Sequence, residues 1–291
     1  MGALMGVIPV SGPVALRIEL QMGHIDVVAE PRDDVSVEVT AANPHRAGDR
    51  SAAEAVRLTQ TGADVRIVGP FRLNLFGPGD FVDVAVRVPE GSDTSISLKY
   101  GSLRVAGTVG TTRIALDYGD ATLDRTGRAD LGLGHGELRV QQIRGDADVT
   151  IKSGRARLGH VDGKLRLKGS DAGIEVGEIS GAADIATSSG VVHLGDPGPA
   201  LTVRSAYGPV RVSDLHGGTA RVEASYGAIT LGVRVGTAVW LDASSQHGVV
   251  RNELAAAHAP SEGEGAQELH VRAGYGDITV HRTQPGAAAG G

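Results

Sequence analysis

The chain has 291 residues, 43 of them Gly, with only three Phe, one Trp and five Tyr, and 28 basic against 34 acidic groups for a net charge of −6. A hydrophobic content of 41% excludes a disordered chain, the Gly follows no three-residue period and so excludes collagen, and no stretch approaches the ~18 apolar residues of a membrane helix. The absence of Cys excludes disulfides, thiolate-bound metals and thiol catalysis, and the acidic balance argues against nucleic acid as a partner.

The opening MGALMGVIPV is apolar, but it has no Lys or Arg before Arg17 and contains Pro9. It is a poor export signal, so a cytoplasmic chain is expected, with this segment either disordered or pairing as a strand. From Leu16 to Val27 aliphatic and polar residues alternate around Met22-Gly23, the period-two pattern of a strand with one buried face. Three more alternating strands are predicted at Val35 to Val39, Val56 to Leu58 and Val65 to Val68, the last two joined by a hairpin-type loop from Gln60 to Asp64. Ser51 to Val56 is the one segment that reads as a helical turn. Phe71 to Phe81 holds all three Phe and predicts a loop packed over the end of the fold, and Val82 to Pro89 predicts a strand leading out of it.

From there a repeat takes over. All five Tyr (Tyr100, Tyr118, Tyr207, Tyr226 and Tyr275) are followed directly by Gly, and the same slot is filled by His135, Ser153, Asp171, Ser189 and His247. The intervals between slots are 18, 17, 18, 18, 18, 18, 19, 21 and 28 residues. Four residues before the slot the chain is aliphatic, as at Ile96, Ile114, Leu167 and Val203, and weakest at Ala243. The positions three and five residues after it are aliphatic too, broken at Asn252. A second marker is the corner ending in Gly145, Gly163 or Gly181, where glycine suits a positive φ. A unit of this size cannot bury its own aliphatic face, so the units must stack.

The reading is therefore all-β: a single-stranded parallel β-solenoid of ten to eleven rungs, about 18 residues each, counting the Met22 rung as displaced in sequence. Residues 14–90 form the first rung and an antiparallel β cap, and 91–282 the repeats, one continuous domain with the cap. Residues 283–291 are read as a disordered tail and Ala255 to Ala266 as a surface insertion. A cap ending in Val82 to Gly91, followed by tandem units of Tyr or Ser, Gly and alternating aliphatics, resembles a bacterial β-strand-repeat family of unknown function labelled "putative adhesin". That resemblance covers roughly residues 14 to 282. It implies a right-handed solenoid with an adhesion or scaffold role and brings no catalytic residues.

Candidate sites follow from the columns. Tyr207, Tyr226, His247 and Tyr275 read either as a structural ladder or as an aromatic strip for sugar rings, and Arg104, Arg139, Arg157 and Arg211 either as a solvated face or as a track for an acidic polysaccharide or phosphate. Asp117, Asp120 and Glu137 form a solvated acidic corner, with calcium binding or a glycosidase pair as the sharper alternative. The His spacing offers no metal motif, Gly159 to Lys164 lacks the length and following Ser/Thr of a phosphate loop, and no cofactor or catalytic set is expected. The chain is thus expected to be a non-enzymatic scaffold or adhesin-like module with a protein or glycan partner. The competing readings are a carbohydrate-active β-helix and a filament built through the solenoid ends.

Overall fold

The computed structural model describes residues 4–70, 80–254 and 266–283, and among these the chain is all-β with a single short helix. The expectations for the Phe-rich loop at 71–79, the insertion at 255–265 and the tail at 284–291 lie outside the described residues. Contacts divide the chain into two compact units, Met1–Arg144 and Gly145–Gly291.

The first unit comprises β1 (Leu4–Pro9), β2 (Ala15–Glu30), β3 (Asp34–Ala41), α1 (Ala47–Glu54), β4 (Arg57–Thr61), β5 (Asp64–Val68), β6 (Val82–Pro89), β7 (Asp93–Val109), β8 (Thr112–Thr126) and β9 (Ala129–Ile143). Long strands β2, β7, β8 and β9 pair in parallel with the slots aligned: Met22 opposite Tyr100, Tyr100 opposite Tyr118, and Tyr118 opposite His135. The other edge of β2 pairs in parallel with β5 and β6. Those two strands are flanked by antiparallel β4 and β3, and β1 adds to β3. The antiparallel elements therefore occupy the parallel edge that would otherwise stay open to pairing.

Of the two states expected for the apolar opening segment, the structure shows strand pairing, as β1 against β3. One local reading needs correction. The helix begins at Ala47, ahead of the expected turn, because Asp49 anchors its start: the buried carboxylate accepts the amides of Asn43 at 3.0 Å and Phe81 at 3.2 Å, while Ala52 and Ala53 pack inward.

The second unit comprises β10 (Ala147–Val161), β11 (Leu165–Ile179), β12 (Ala182–Ser189), β13 (Val192–Asp196), β14 (Ala200–Tyr207), β15 (Val210–Leu215), β16 (Gly218–Tyr226), β17 (Ile229–Arg234), β18 (Val239–Ser245), β19 (Val250–Asn252), β20 (Gln267–Tyr275) and β21 (Ile278–Thr283). Parallel pairing follows chain order as far as β16 and β17 and then departs from it. β20 and β21 pair with β16 and β17, and β18 and β19 lie on the far side of β20 and β21. Core quality explains the exchange. Leu269, Val271, Ile278 and Val280 are wholly buried, which a repeat flanked on both sides permits. The outer repeat carries the two weak positions seen in the sequence, half-buried Ala243 and exposed Asn252.

Within each unit the aliphatic columns form the core, for example Ile96, Ile114 and Leu131 in the first unit and Val203, Val222 and Val271 in the second. Each such residue contributes about 1.5–3 kcal/mol by leaving water, before entropy is set against it. The glycine after the slot is fixed by geometry. At Gly119 (φ 136°) and Gly208 (φ 129°) an added Cβ would stand 1.7 Å from the Gly101 carbonyl oxygen and 2.0 Å from that of Gly190. The positive φ expected at Gly145, Gly163 and Gly181 is not found there. Gly163 and Gly181 are required instead by crowding, since a Cβ on Gly181 would lie 2.3 Å from the Gly163 oxygen.

Candidate functional site

The slot column of the second unit is an unbroken ring stack in the order Tyr207, Tyr226, Tyr275, His247. Centroids are 5.0, 4.9 and 4.3 Å apart and planes lie within 14° of parallel. Tyr100, Tyr118 and His135 stack likewise in the first unit at 4.8 and 4.7 Å. The strand spacing of about 4.8 Å imposes these distances. Neighbouring rings cover each other's faces, so the column offers solvent its edges and phenol oxygens. The exceptions are the two end rings: His247 on the outer repeat, stacked among the described residues only on Tyr275, and Tyr207, 58% exposed, whose opposite neighbour in register is the small Ser189.

Two residues before the slot lies a column that the sequence reading passed over. In the first unit it holds the buried Leu98, Leu116 and Leu133. In the second it begins with buried Ile151 and then shrinks to Gly169, Thr187, Ser205, Ala224 and Ala273. The adjoining position shrinks as well, through Ser170, Ser188, Ala206, Ser225 and Gly274. Small inward side chains let the backbone draw toward the core, and the surface outside it is hollow. A groove of about 920 Å³ runs over this floor, between Tyr226 and Tyr275 on one rim and Lys168, Arg204, Glu223 and Arg272 on the other. The change from large to small after Ile151 was the sequence signal for it.

The charged rim is partly held in place. Arg272 bonds the carboxylate of Asp242, which raises the guanidinium's pKa and is the main cause holding Asp242 below the usual carboxylate range. Arg204 reaches Asp184 at 3.4 Å. Lys168 is flanked in register by the uncharged Thr150 and Ala186. Farther along the edge, Asp277 accepts the Val249 amide at 2.9 Å and bonds Arg251 at 2.7 Å, and these contacts, the amide first, lower its pKa.

The four arginines singled out by sequence are not gathered at the groove. Arg104 lies opposite Asp26 and Thr122 in the first unit, and Arg139 there bonds Glu137. In the second unit Arg157 bonds Glu175 at 3.1 Å, and Arg211 sits between His193 and Thr230. In the acidic corner, the Asp120 carboxylate accepts the Glu137 amide at 2.8 Å. One cluster of metal-ligating type occurs among the described residues, Asp196, Asp214 and His216. Arg234 already bonds Asp214 through both ends of its guanidinium and lies 3.8 Å from Asp196. A cation would have to displace it. Among the described residues no helix is long and apolar enough to cross a membrane.

Comparison with known proteins gives a family and structural relatives. No curated protein matches the chain. Similar solved structures include a "putative adhesin" from Parabacteroides merdae ATCC 43184, 8% identical, covering 97% of this chain and 96% of its own, with a TM-score of 0.40. A "putative adhesin" from Parabacteroides distasonis ATCC 8503 is 13% identical, covering 97% of both chains, with a TM-score of 0.36. A "putative lipid binding protein" from the same organism is 10% identical, covering 97% of this chain and 96% of its own, with a TM-score of 0.39. The family model described as Toastrack DUF4097 matches residues 15–287, a span that runs from β2 through β21, and the chain belongs to that family.

Proposed function

We propose that the chain is a non-enzymatic binding scaffold, a right-handed β-solenoid of ten to eleven rungs whose repeats present a ligand-facing surface and whose residues 14–90 cap one end. The observation that carries this reading is the groove of the second unit, open along its length and walled by residues that repeat in register. Repetition suits recognition of an extended ligand better than it suits chemistry at a single bond, because each repeat places a side chain at the matching position along one line. Asp120 and Glu137 of the acidic corner and the two carboxylates of the Asp196 cluster are engaged by backbone amide or guanidinium groups, which supports binding over catalysis.

The test is to incubate the full chain with a panel of polysaccharides, phospholipid vesicles and unstructured polypeptides, following association and turnover together. Saturable association without new reducing ends or released acyl chains is expected, and turnover would favour a carbohydrate-active or other enzyme. A second reading, self-association, is favoured by the outer repeat, where Trp240 and Val249 are each 54% exposed and β18 and β19 have one paired edge among the described residues. Sedimentation that stays monomeric as concentration rises would remove it.

A further inference from the structure

We propose that the groove over Gly169 to Gly274 binds a linear acidic polysaccharide that carries a carboxylate on alternate sugars. The proposal rests on the binding-scaffold reading and assigns it a ligand class.

Charge comes first. The chain is acidic overall, with a net charge of −6, yet the residues lining the rim opposite the tyrosines are Lys168, Arg204 and Arg272 with one acid, Glu223, while Asp184 and Asp242, outside the lining, hold Arg204 and Arg272 in place. A basic rim on an acidic protein selects an anion locally and repels it elsewhere. The spacing is as informative as the sign. In register Lys168 faces Ala186, Ala186 faces Arg204, Arg204 faces Glu223, and Glu223 faces Arg272. The cations therefore stand on every second repeat, about 9.6 Å apart at about 4.8 Å per strand. The position between Lys168 and Arg204 is neutral and that between Arg204 and Arg272 is acidic. A ligand with an anion at every step would set one against Glu223, which disfavours it by repulsion. A sugar ring is comparable in length to one strand spacing, so a glycan lying along the groove can place alternate carboxylates over the cations.

The floor argues against the main alternative, an acidic peptide. Extended peptides gain affinity from an open sheet edge, through main-chain hydrogen bonds. Here β11, β12, β14, β16 and β20 are paired in parallel on both sides, so their backbone groups are spent within the ladder. What remains on the floor and rims is side-chain hydroxyl and amide: Ser188, Ser225, Ser244, Gln246 and the Tyr phenols. These are partners for sugar hydroxyls. Beside the groove, next to Tyr226 in the ring column though outside the lining, Tyr207 has an uncovered face that adds one stacking platform.

The test measures binding of the full chain, at low and moderate salt, to four probes: hyaluronan oligosaccharides with one carboxylate per two sugars, polygalacturonate with one per sugar, neutral dextran, and poly-glutamate. Hyaluronan oligosaccharides are expected to bind best and to weaken with salt. Lys168→Glu, Arg204→Glu and Arg272→Glu should each weaken them about tenfold or more, and Ser225→Trp, which fills the floor at an exposed position, should abolish binding. Arg104→Glu and Arg211→Glu should leave it unchanged, with circular dichroism confirming that every variant folds. Glycan binding untouched by the groove variants would overturn this inference while leaving the scaffold reading intact. Tighter binding of poly-glutamate, equal binding of dextran, or no binding to any acidic glycan would overturn it as well. Turnover in the panel assay would instead overturn the scaffold reading itself.

Discussion

Leu98, Leu116 and Leu133 in the first unit stand at the same place in the repeat as Gly169, Thr187, Ser205, Ala224 and Ala273 in the second. The backbone pairs in parallel and in register in both. Ring stacking at the slot and the glycine that follows it are shared. What differs is side-chain volume at one inward corner, which is filled by leucine in one unit and left small in the other. The groove is thus made by subtraction. In this fold a recognition surface can be created without a loop, an insertion or a change of register, by shrinking a column that elsewhere serves the core.

The strongest way to test that comparison is to break what the two units share. Gly119→Val and Gly208→Val each force a side chain into the neighbouring strand's carbonyl at a positive φ. Each should cost at least about 3 kcal/mol in denaturant unfolding, with similar losses in the two units. Next comes the column that differs. Leu116→Ala removes a fully buried side chain and should cost about 2–5 kcal/mol. Ala224→Leu should overpack its corner by about 1–3 kcal/mol and close the groove. Equal and opposite volume changes would then damage the two units in different ways, one by cavity and the other by crowding.

A smaller effect concerns the edge of the second unit. Asp242 and Asp277, which tie β18 and β19 to their neighbours, both have lowered pKa values, chiefly from the Arg272 hydrogen bond and the Val249 amide respectively. A carboxylate with a lowered folded pKa contributes stability above its unfolded pKa and loses it as pH falls through the folded value, so loosening is expected below about pH 4. Trp240, the single Trp, lies on β18 with its ring 5.1 Å from that of His270. Its fluorescence should change in that acid range before the bulk β signal does. The least effect is expected at the surface pair Arg157 and Glu175, both well exposed, where Arg157→Ala should cost under about 1 kcal/mol.

Much of this was legible in the sequence, because each period carries its own evidence. Tyr-Gly dipeptides and the aliphatic columns gave the register of the parallel ladder, and Met22-Gly23 identified a repeat displaced from the others. The weak Ala243 and the break at Asn252 were visible as irregularities, but their meaning was not. Only pairing in space reveals that they sit at an edge, because the stretch between β19 and β20 allows more than one order of neighbours. The groove was missed for a different reason. Tyr and Arg are the conspicuous residues of the repeat, whereas the informative signal is the disappearance of leucine two residues before the slot. Arg104, Arg139, Arg157 and Arg211 share a column, yet acidic or polar neighbours stand beside them, so the column is no continuous basic track.

The exchanged order of the last repeats also has a consequence in time. β18 and β19 leave the ribosome before β20 and β21, and until the latter emerge the edge on offer to them is that of β16 and β17. Pairing there would align His247 with Tyr226, a contact of the right kind in the wrong place. The native neighbour, made last, takes the inner position. Synthesis therefore offers this end of the protein a competing arrangement, which the full burial of Leu269, Val271, Ile278 and Val280 in the inner position must outweigh.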